Sequence, residues 1–216
     1  MKNFLVIGMG EFGTRIATRL QALKNDVCVV DANYEKINLI TPTFNNAVCA
    51  DAMNPQALKD LGIRSFDACI VTVGQNFQAS LEITSRLKEF GAKYVLSKSY
   101  SDIQSKFLKI AGADETIYPE KDVAEKVAVT LNSEALLNYF NISDDYGVYE
   151  MKAPRDWYGH SLIDLNLRRN YSLNVMAVRT GEKVILPDPS YSFSEGDTVY
   201  VFGPKSRIDR LAKHAK

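Results

Sequence analysis

The sequence has few of the side chains on which catalysis and metal binding most often depend. Its 216 residues include two histidines and three cysteines. Cys28, Cys49 and Cys69 lie in separate apolar runs without CxxC spacing, which predicts buried structural thiols rather than a metal or redox site. His160 and His214 have no evident carboxylate partner by spacing, and no nucleophile elbow, Ser/His/Asp arrangement or HExxH motif is present. The sequence therefore argues against an enzyme.

An excess of one charge and a long apolar run are also missing. Lys+Arg and Asp+Glu number 26 each, which gives no sign of a nucleic-acid partner or of an anionic membrane surface. No stretch approaches the roughly 18 apolar residues of a membrane-spanning helix, and the apolar start FLVIG is too short for a signal peptide. We therefore expect a cytoplasmic protein, which can still work beside a membrane as the subunit of another protein.

Short apolar runs alternate with helical patterns in the first half of the chain. The six runs are KNFLVIG, DVCVVD, NAVCAD, FDACIVTVG, YVLSK and ETIY. Helix signals lie between them, among them Asn54 before Pro55 and a Ser101–Gln104 capping box. This alternation predicts right-handed βαβ units, and hence an α/β fold with a Rossmann-type parallel sheet over residues 1–118.

The pattern changes at about residue 119. Residues 120–141 contain no Gly or Pro and predict one long helix, whose start we place at 119–132. Its apolar positions are Val123, Val127, Leu131, Ala135, Leu136, Leu137 and Phe140. Such a helix either packs on its own sheet or crosses to a second subunit. Beyond Ser143 the order strand, helix, three strands and helix predicts a small α+β domain, which we bound at 133–216.

The stretch GMGEFG follows the first predicted strand and opens a predicted helix. In that context Gly8 permits a tight turn, Gly10 lets the backbone approach a phosphate, and Gly13 lets the helix pack close to the strand. The helix N-terminus attracts the anion. Asp31, at the end of the second strand, favours NAD or an unmodified adenine nucleotide over NADP, unless it is an ordinary strand-end acid. A nucleotide site without catalytic groups is most simply a sensor.

Over nearly its whole length the sequence resembles the RCK family, the regulators of K⁺ conductance. The resemblance is strongest to the KtrA/KtrC-like gating subunits of bacterial Ktr potassium transporters, with the TrkA type more distant. Five blocks carry it by their order and spacing: FLVIGMGEFG, LKDLGIRSFDACIVTVGQNFQAS, KIAGADETIYPEKDVAEKVA, LLNYFNISDDYGVYE and SLIDLNLRRNYSLNVMAVR. It implies an RCK N-terminal domain, a crossover helix that supplies a dimer contact, and an α+β RCK C-terminal domain.

The resemblance also implies roles for particular residues. An adenine nucleotide (NAD(H), AMP, ADP or ATP) would lie over the glycine loop, with Asp31 on the ribose and Lys98 facing the phosphates. The implied binding residues are Gly8, Gly10, Glu11, Phe12, Gly13, Asp31, Ala50, Asp51, Ala52, Val73, Gly74 and Lys98. Glu120 matches an acid that helps hold a cation, Mg²⁺ or another, near the phosphates at a subunit interface. The alternative for Glu120 is an acid favoured by the helix dipole.

Glu11 departs from the family pattern, because close relatives commonly have arginine at this position. An acid there removes a charge-assisted bond of about 1.5–3 kcal/mol to the terminal phosphate of ATP. It also places a like charge near a polyphosphate. Three interpretations are open: NAD(H), AMP or ADP replaces ATP, a divalent cation bridges Glu11 to the phosphates, or Glu11 points to solvent.

A second ligand, cyclic di-AMP, is implied across a two-fold axis of paired C-terminal domains. Its residues would be Leu167, Arg168, Asn174, Val175 and Pro189. The resemblance further implies dimers assembled into a ring, here predicted to be an octamer, peripheral at the inner face of the cell membrane. The ring would gate a membrane-embedded potassium-translocating subunit of the KtrB/KtrD or TrkH type. The alternative function is a small NAD-dependent oxidoreductase. A redox-sensing transcription regulator is disfavoured, since no helix-turn-helix or basic arm is evident.

Overall fold

The computed structural model describes residues 1–214 apart from 75, 134 and 144, and only the backbone of 209 and 212–214. The chain divides into two compact units, Met1–Glu120 and Lys121–Lys216. Each unit has its own sheet, with six strands in the first and five in the second. Within the described part of the chain, no helix combines the length and the hydrophobicity needed to cross a membrane.

The first unit alternates strands and helices. Its strands are β1 (Asn3–Ile7), β2 (Asp26–Asp31), β3 (Asn46–Cys49), β4 (Ala68–Val71), β5 (Val95–Lys98) and β6 (Glu115–Ile117). Its helices are α1 (Glu11–Ala22), α2 (Tyr34–Ile40), α3 (Pro55–Asp60), α4 (Phe77–Glu89) and α5 (Asp102–Ile110), with a 3₁₀ turn at Ile63–Ser65. All strand pairs are parallel, in the order β3-β2-β1-β4-β5-β6. The predicted Rossmann-type sheet is confirmed.

Two hydrophobic clusters hold this sheet, one on each face. Leu5 and Ile7 of β1 pack in a cluster with Ile83 of α4, while Val6, between them, packs with Ala17 of α1. Successive strand residues point to opposite faces. The apolar run of β1 therefore needs helices on both sides of the sheet, which is the layering of a parallel α/β fold.

The predicted helix caps are present, one of them in altered form. The Asn54 side chain accepts a hydrogen bond from the Gln56 N–H at 2.9 Å, and Ser101 Oγ accepts one from the Gln104 N–H at 3.2 Å. The Gln104 side chain, however, accepts from the backbone N–H of Tyr100 at 3.0 Å instead of from Ser101. The reciprocal half of the predicted capping box is therefore displaced by one residue.

The second unit is a small α+β unit reached through α6 (Pro119–Leu131). Its strands are β7 (Leu136–Asn141), β8 (Tyr146–Lys152), β9 (Asn174–Thr180), β10 (Lys183–Ile185) and β11 (Thr198–Pro204). Its other helices are α7 (Leu162–Leu165), α8 (Leu167–Tyr171) and α9 (Lys205–His214), with a 3₁₀ turn at Arg155–Trp157. The strands pair antiparallel in the order β10-β9-β11-β8-β7. The predicted α+β class is confirmed.

The prediction of one helix over residues 120–141 is wrong. Helix α6 ends at Leu131, and residues 136–141 form β7, which pairs with β8. Ser133 Oγ accepts the backbone N–H groups of Ala135 and Leu136 at 3.3 and 3.2 Å, which turns the chain out of the helix. As a strand, the segment places Leu136 and Tyr139 in the core, at 5% and 9% exposure.

The stretch HSLIDLNLRRN, residues 160–170, predicts one helix, but the structure has two helices there, α7 and α8. Asn166, between α7 and α8, has φ 43° and ψ 47°. This left-handed conformation cannot continue an α-helix, and asparagine adopts it more readily than most residues. Asn166 therefore separates two short helices, where the spacing of the apolar residues alone predicts one.

The expectation of three buried thiols holds for Cys69, holds in part for Cys28 and is wrong for Cys49. Cys69 is buried and Cys28 is half-buried, while Cys49 is exposed. Burial raises the pKa of Cys28 to about 11 and that of Cys69 to about 12. Cys49 differs because it ends β3, the edge strand of its sheet, which has no neighbouring strand on one side among the described residues.

Candidate functional site

A cleft of about 540 Å³ lies at the carboxyl ends of the parallel strands in the first unit. The strand order reverses direction between β1 and β4, and ligands of open α/β sheets bind at such a switch point. All the residues predicted for the nucleotide line this cleft: Gly8, Gly10, Glu11, Phe12, Gly13, Asp31, Ala50, Asp51, Ala52, Val73, Gly74 and Lys98. Glu120 lines it as well.

The glycines of the loop after β1 differ in what surrounds them. A Cβ on Gly8, which has φ +98°, would lie 2.6 Å from the Thr72 carbonyl oxygen. A Cβ on Gly13 would lie 2.0 Å from the Gly8 carbonyl oxygen. Apart from its chain neighbours, no atom of the described residues lies within 4 Å of a Cβ placed on Gly10. Gly8 and Gly13 therefore close the turn against β4 and α1, whereas Gly10 keeps space open in the cleft.

The N-terminus of helix α1 lies at the cleft and has no capping side chain. Its N-cap residue is Gly10. The N–H groups of its first turn have no acceptor within the helix and remain for water or for a ligand. Such N–H groups, together with the helix dipole, favour a phosphate.

Asp31 has structural partners besides the ribose contact predicted for it. Its Oδ2 accepts the backbone N–H of Met9 at 2.7 Å, and its Oδ1 accepts the N–H of Asn33 at 2.8 Å. Lys36 Nζ lies 3.4 Å from Oδ2, and the Asp31 side chain is 11% exposed. Asp31 thus ties the glycine loop to the end of β2. Each carboxylate oxygen can accept more than one hydrogen bond, so capacity for ribose hydroxyls remains.

Glu11 points away from the loop into solvent. Its side chain is 83% exposed, and its Oε1 lies 2.8 Å from a guanidinium nitrogen of Arg15 one turn further along α1. Arg15 Nε donates to the same oxygen at 2.9 Å. This i,i+4 pair balances the charge of Glu11. Of the three interpretations open from the sequence, the geometry favours the solvent-facing one.

Lys98 is the buried cation of the cleft. Its side chain is 8% exposed, and Nζ lies 2.5 Å from Glu120 Oε1. Nζ also lies 4.4 Å from the ring centroid of Tyr100 and 5.3 Å from that of Phe12, within cation–π range. Burial opposes the charged form of Lys98, but the hydrogen bond to Glu120 and the neighbouring Tyr100 outweigh it and raise its pKa. The hydrogen bond from Lys98 lowers the pKa of Glu120.

The surroundings of Glu120 do not fit a metal ion. Among the residues that the structure describes, no three or more His, Cys, Asp or Glu side chains come together as a metal site. The Glu120 carboxylate faces an ammonium group at 2.5 Å, where a cation would be repelled. A metal role of Glu120 stays a prediction that these contacts do not support.

Several cleft residues were not found from the sequence, and four of them are Lys36, Thr72, Asn76 and Tyr100. Thr72 Oγ1 donates to the Gly8 carbonyl oxygen at 2.6 Å and so holds the glycine loop against β4. The Asn76 side chain caps α4 by accepting the Ala79 N–H at 3.1 Å. Thr72, Asn76 and Tyr100 follow the carboxyl end of a parallel strand by five residues or fewer, and that position was the available signal.

A second cleft, of about 510 Å³, lies in the second unit. All the residues predicted for cyclic di-AMP line it: Leu167, Arg168, Asn174, Val175 and Pro189. Leu167 is buried, and Arg168 and Asn174 are exposed. The Ile163 N–H donates to the Pro189 carbonyl oxygen at 3.0 Å, which fastens the segment after β10 to α7.

Comparison with known proteins agrees with this architecture. Residues 4–119 match the TrkA-N domain and residues 148–216 match the TrkA-C domain. The fold also resembles the crystal structure of the GsuK RCK domain, with a TM-score of 0.70 at 15% identity. That match covers 99% of this chain and 47% of the GsuK chain, so this chain spans about half the length of that protein. The class is thus a TrkA-N/TrkA-C protein with the RCK fold.

Within that class the relatives are more specific. The chain is 38% identical to the Ktr system potassium uptake protein A of Bacillus subtilis (strain 168), over 97% of this chain and 95% of that protein. It is 34% identical to the Ktr system potassium uptake protein C of the same organism, over 98% and 96%. The chain therefore belongs to the family of Ktr potassium uptake proteins, and the predicted family is confirmed.

Proposed function

We propose that this protein is a regulatory subunit of potassium uptake that senses an adenine nucleotide in the cleft of its first unit. The observation that carries the proposal is the convergence of every predicted nucleotide residue on one cleft. An uncapped helix N-terminus and the buried Lys98 ammonium supply its positive charge. The link to potassium rests on the family to which the chain belongs.

The charges of the cleft favour a ligand with few phosphates. Its lining includes the acids Asp31, Asp51 and Glu120 and the lysines Lys36 and Lys98. Glu11, which also lines the cleft, turns to solvent and is paired with Arg15. Each added phosphate charge meets this excess of carboxylates, so we propose NAD(H), AMP or ADP in preference to ATP. A 2′-phosphate would approach the carboxylate of Asp31, which disfavours NADP. The volume of about 540 Å³ is in the range of small-molecule sites.

Calorimetric titration tests this assignment. The purified protein is titrated with NAD⁺, NADH, NADP⁺, AMP, ADP and ATP, with and without Mg²⁺. We expect one ligand per chain for at least one member of the NAD(H), AMP and ADP group, and binding of NADP⁺ at least about tenfold weaker than that of NAD⁺. If no adenine nucleotide binds, the cleft has lost its ancestral ligand and the sensor proposal is wrong.

Catalysis is not part of the proposal. Hydride transfer to a substrate usually needs a general acid or base beside the nicotinamide. In the described part of the chain, no histidine lines the nucleotide cleft, and His160 lies in a cleft of the second unit. Measurable turnover of bound NADH with a small substrate would instead support the oxidoreductase alternative.

We further propose a peripheral cytoplasmic ring that gates a membrane-embedded potassium-translocating subunit. Exposed apolar side chains on α6 supply a surface for the dimer contact: Val123 at 59%, Val127 at 47% and Leu131 at 82% exposure. A ligand can shift such a ring only if it binds one ring shape more tightly, and typical coupling is about 1–3 kcal/mol. The number of chains in the ring, eight, stays a prediction.

Cyclic di-AMP is a second candidate ligand, because its predicted residues also line one cleft. An Arg168→Ala variant is expected to bind cyclic di-AMP at least about tenfold more weakly, since a hydrogen bond to a charged group contributes about 1.5–3 kcal/mol. Arg169→Ala is the matched control, because Arg169 is exposed and adjacent but is not among the lining residues. Calorimetry measures both. Equal affinities of the two variants would remove Arg168 from the site.

A further inference from the structure

The ammonium group of Lys98, which a bound phosphate would need, already forms an ion pair with a carboxylate of the protein. Lys98 Nζ lies 2.5 Å from Glu120 Oε1, and the ammonium group donates a charge-assisted hydrogen bond to that carboxylate. Another lysine of the cleft, Lys36, lies 3.4 Å from the carboxylate of Asp31. A phosphate that enters the cleft therefore meets ammonium groups that already have carboxylate partners.

We propose that Glu120 is a specificity-determining residue of this site, a built-in competitor that an anionic ligand must displace from Lys98. This inference rests on the nucleotide site proposed above and adds its regulation. In the ligand-free protein Glu120 compensates the buried ammonium. In the bound protein a phosphate oxygen takes its place, and the carboxylate turns to water.

The unequal burial of the pair indicates which partner leaves. The Lys98 side chain is 8% exposed, whereas that of Glu120 is 52% exposed. The rings of Phe12 and Tyr100 lie beside the ammonium group and hold it at the cleft. Lys98 therefore stays, and Glu120, which already reaches solvent, can rotate away at little cost in desolvation.

The position of Glu120 in the chain links this exchange to the second unit. Glu120 is the last residue of the first unit and the second residue of α6, whose residues from Lys121 onward belong to the second unit. A released carboxylate is still favoured there, because the first turn of a helix attracts negative charge. Ligand binding therefore breaks an ion pair on the helix that leads from one unit to the other.

The test compares a charged ligand with its uncharged counterpart. Glu120→Gln keeps the size of the side chain and removes the charge that competes for Lys98. The titrations are made at fixed ionic strength in EDTA and, in parallel, in Mg²⁺. In EDTA this variant is expected to bind ADP about tenfold more tightly than the unaltered protein. Its affinity for adenosine, which has no phosphate, is expected to be unchanged. A merely structural effect would alter both affinities together.

Three further variants complete the experiment. Glu115→Gln removes the same charge from β6 of the same unit, outside the cleft lining, and should leave ADP affinity unchanged. Lys98→Met should weaken ADP binding, and adding Glu120→Gln to it should bring no gain, since the two residues act through one contact. Circular dichroism confirms that each variant is folded.

Three results would overturn the inference. The first is equal ADP affinity of the Glu120→Gln variant and the unaltered protein, while that protein binds ADP; the proposed function then stands without this competitor. The second is a loss confined to Mg²⁺-dependent ADP binding, which would make Glu120 a cation ligand. The third is binding of neither adenosine nor ADP by the unaltered protein, which refutes the nucleotide site as well.

Discussion

A Gly13→Ala variant is expected to destabilise the first unit severely, while Gly10→Ala leaves it folded and abolishes tight nucleotide binding. The two substitutions add the same methyl group to the same loop, three residues apart. At Gly13 the new Cβ would lie 2.0 Å from the Gly8 carbonyl oxygen and 2.6 Å from Thr72 Oγ1. Both atoms belong to the packed junction of the loop with β4, so the backbone itself must move.

The expected size of the effect at Gly13 follows from overpacking. Forcing atoms into a filled site costs about 3 kcal/mol when the backbone must shift, which corresponds to a melting temperature lower by about 10 °C for a unit of this size. A Cβ on Gly10 would have no atom of the described residues within 4 Å apart from its chain neighbours. The φ of −78° and ψ of −175° at Gly10 suit alanine. The free energy of unfolding of the Gly10→Ala variant should therefore differ from that of the unaltered protein by less than about 1 kcal/mol.

Nucleotide binding distinguishes the effect of Gly10→Ala from a general loss of structure. The methyl group of Gly10→Ala fills the open space in which a phosphate would approach the α1 N-terminus, so we expect at least about a hundredfold weaker nucleotide binding. Calorimetric melting and titration of both variants measure the two effects independently. A Gly10→Ala protein that binds NAD⁺ or ADP as tightly as the unaltered protein would show that no phosphate lies over this loop.

The sequence predicted the parallel sheet because its signals are local. The strands of the first unit are short runs that end in turn residues, and the helices after β2, β3, β4 and β5 each begin at a capping side chain. The glycine loop and Asp31 occupy fixed positions in this order of strands and helices, so these residues of the cleft could be predicted from the sequence. The resemblance added Lys98 and the residues after β3 and β4.

Two features that the sequence did not predict depend on contacts between distant residues. Residues 136–141 have a helix-compatible composition, and only pairing with β8 makes them a strand, so tertiary context overrides local propensity. The pairing of Glu120 with Lys98 joins residues 22 positions apart and has no local signature. The Glu11–Arg15 pair, in contrast, has i,i+4 spacing and was predictable from the sequence alone.

A Val127→Glu variant is expected to dissociate the assembly into smaller species without unfolding the chain. Helix α6 has two faces: Val129 packs against the core of the second unit, whereas Val127 is 47% exposed between the exposed Val123 and Leu131. Glutamate is a better helix former than valine, so the helix should persist. An unpaired carboxylate buried in an apolar contact, however, costs several kcal/mol.

Light scattering coupled to size-exclusion chromatography measures the outcome. The mass of the unaltered protein should be a multiple of 24.2 kDa, and that of Val127→Glu should fall toward a single chain. Leu39→Glu is the matched control, because Leu39 is an apolar residue on α2 with 78% exposure and lies outside α6. If both variants keep the mass of the unaltered protein, the exposed face of α6 is not the dimer contact. If both variants dissociate, the added surface charge in itself, and not the loss of a contact through α6, explains the dissociation.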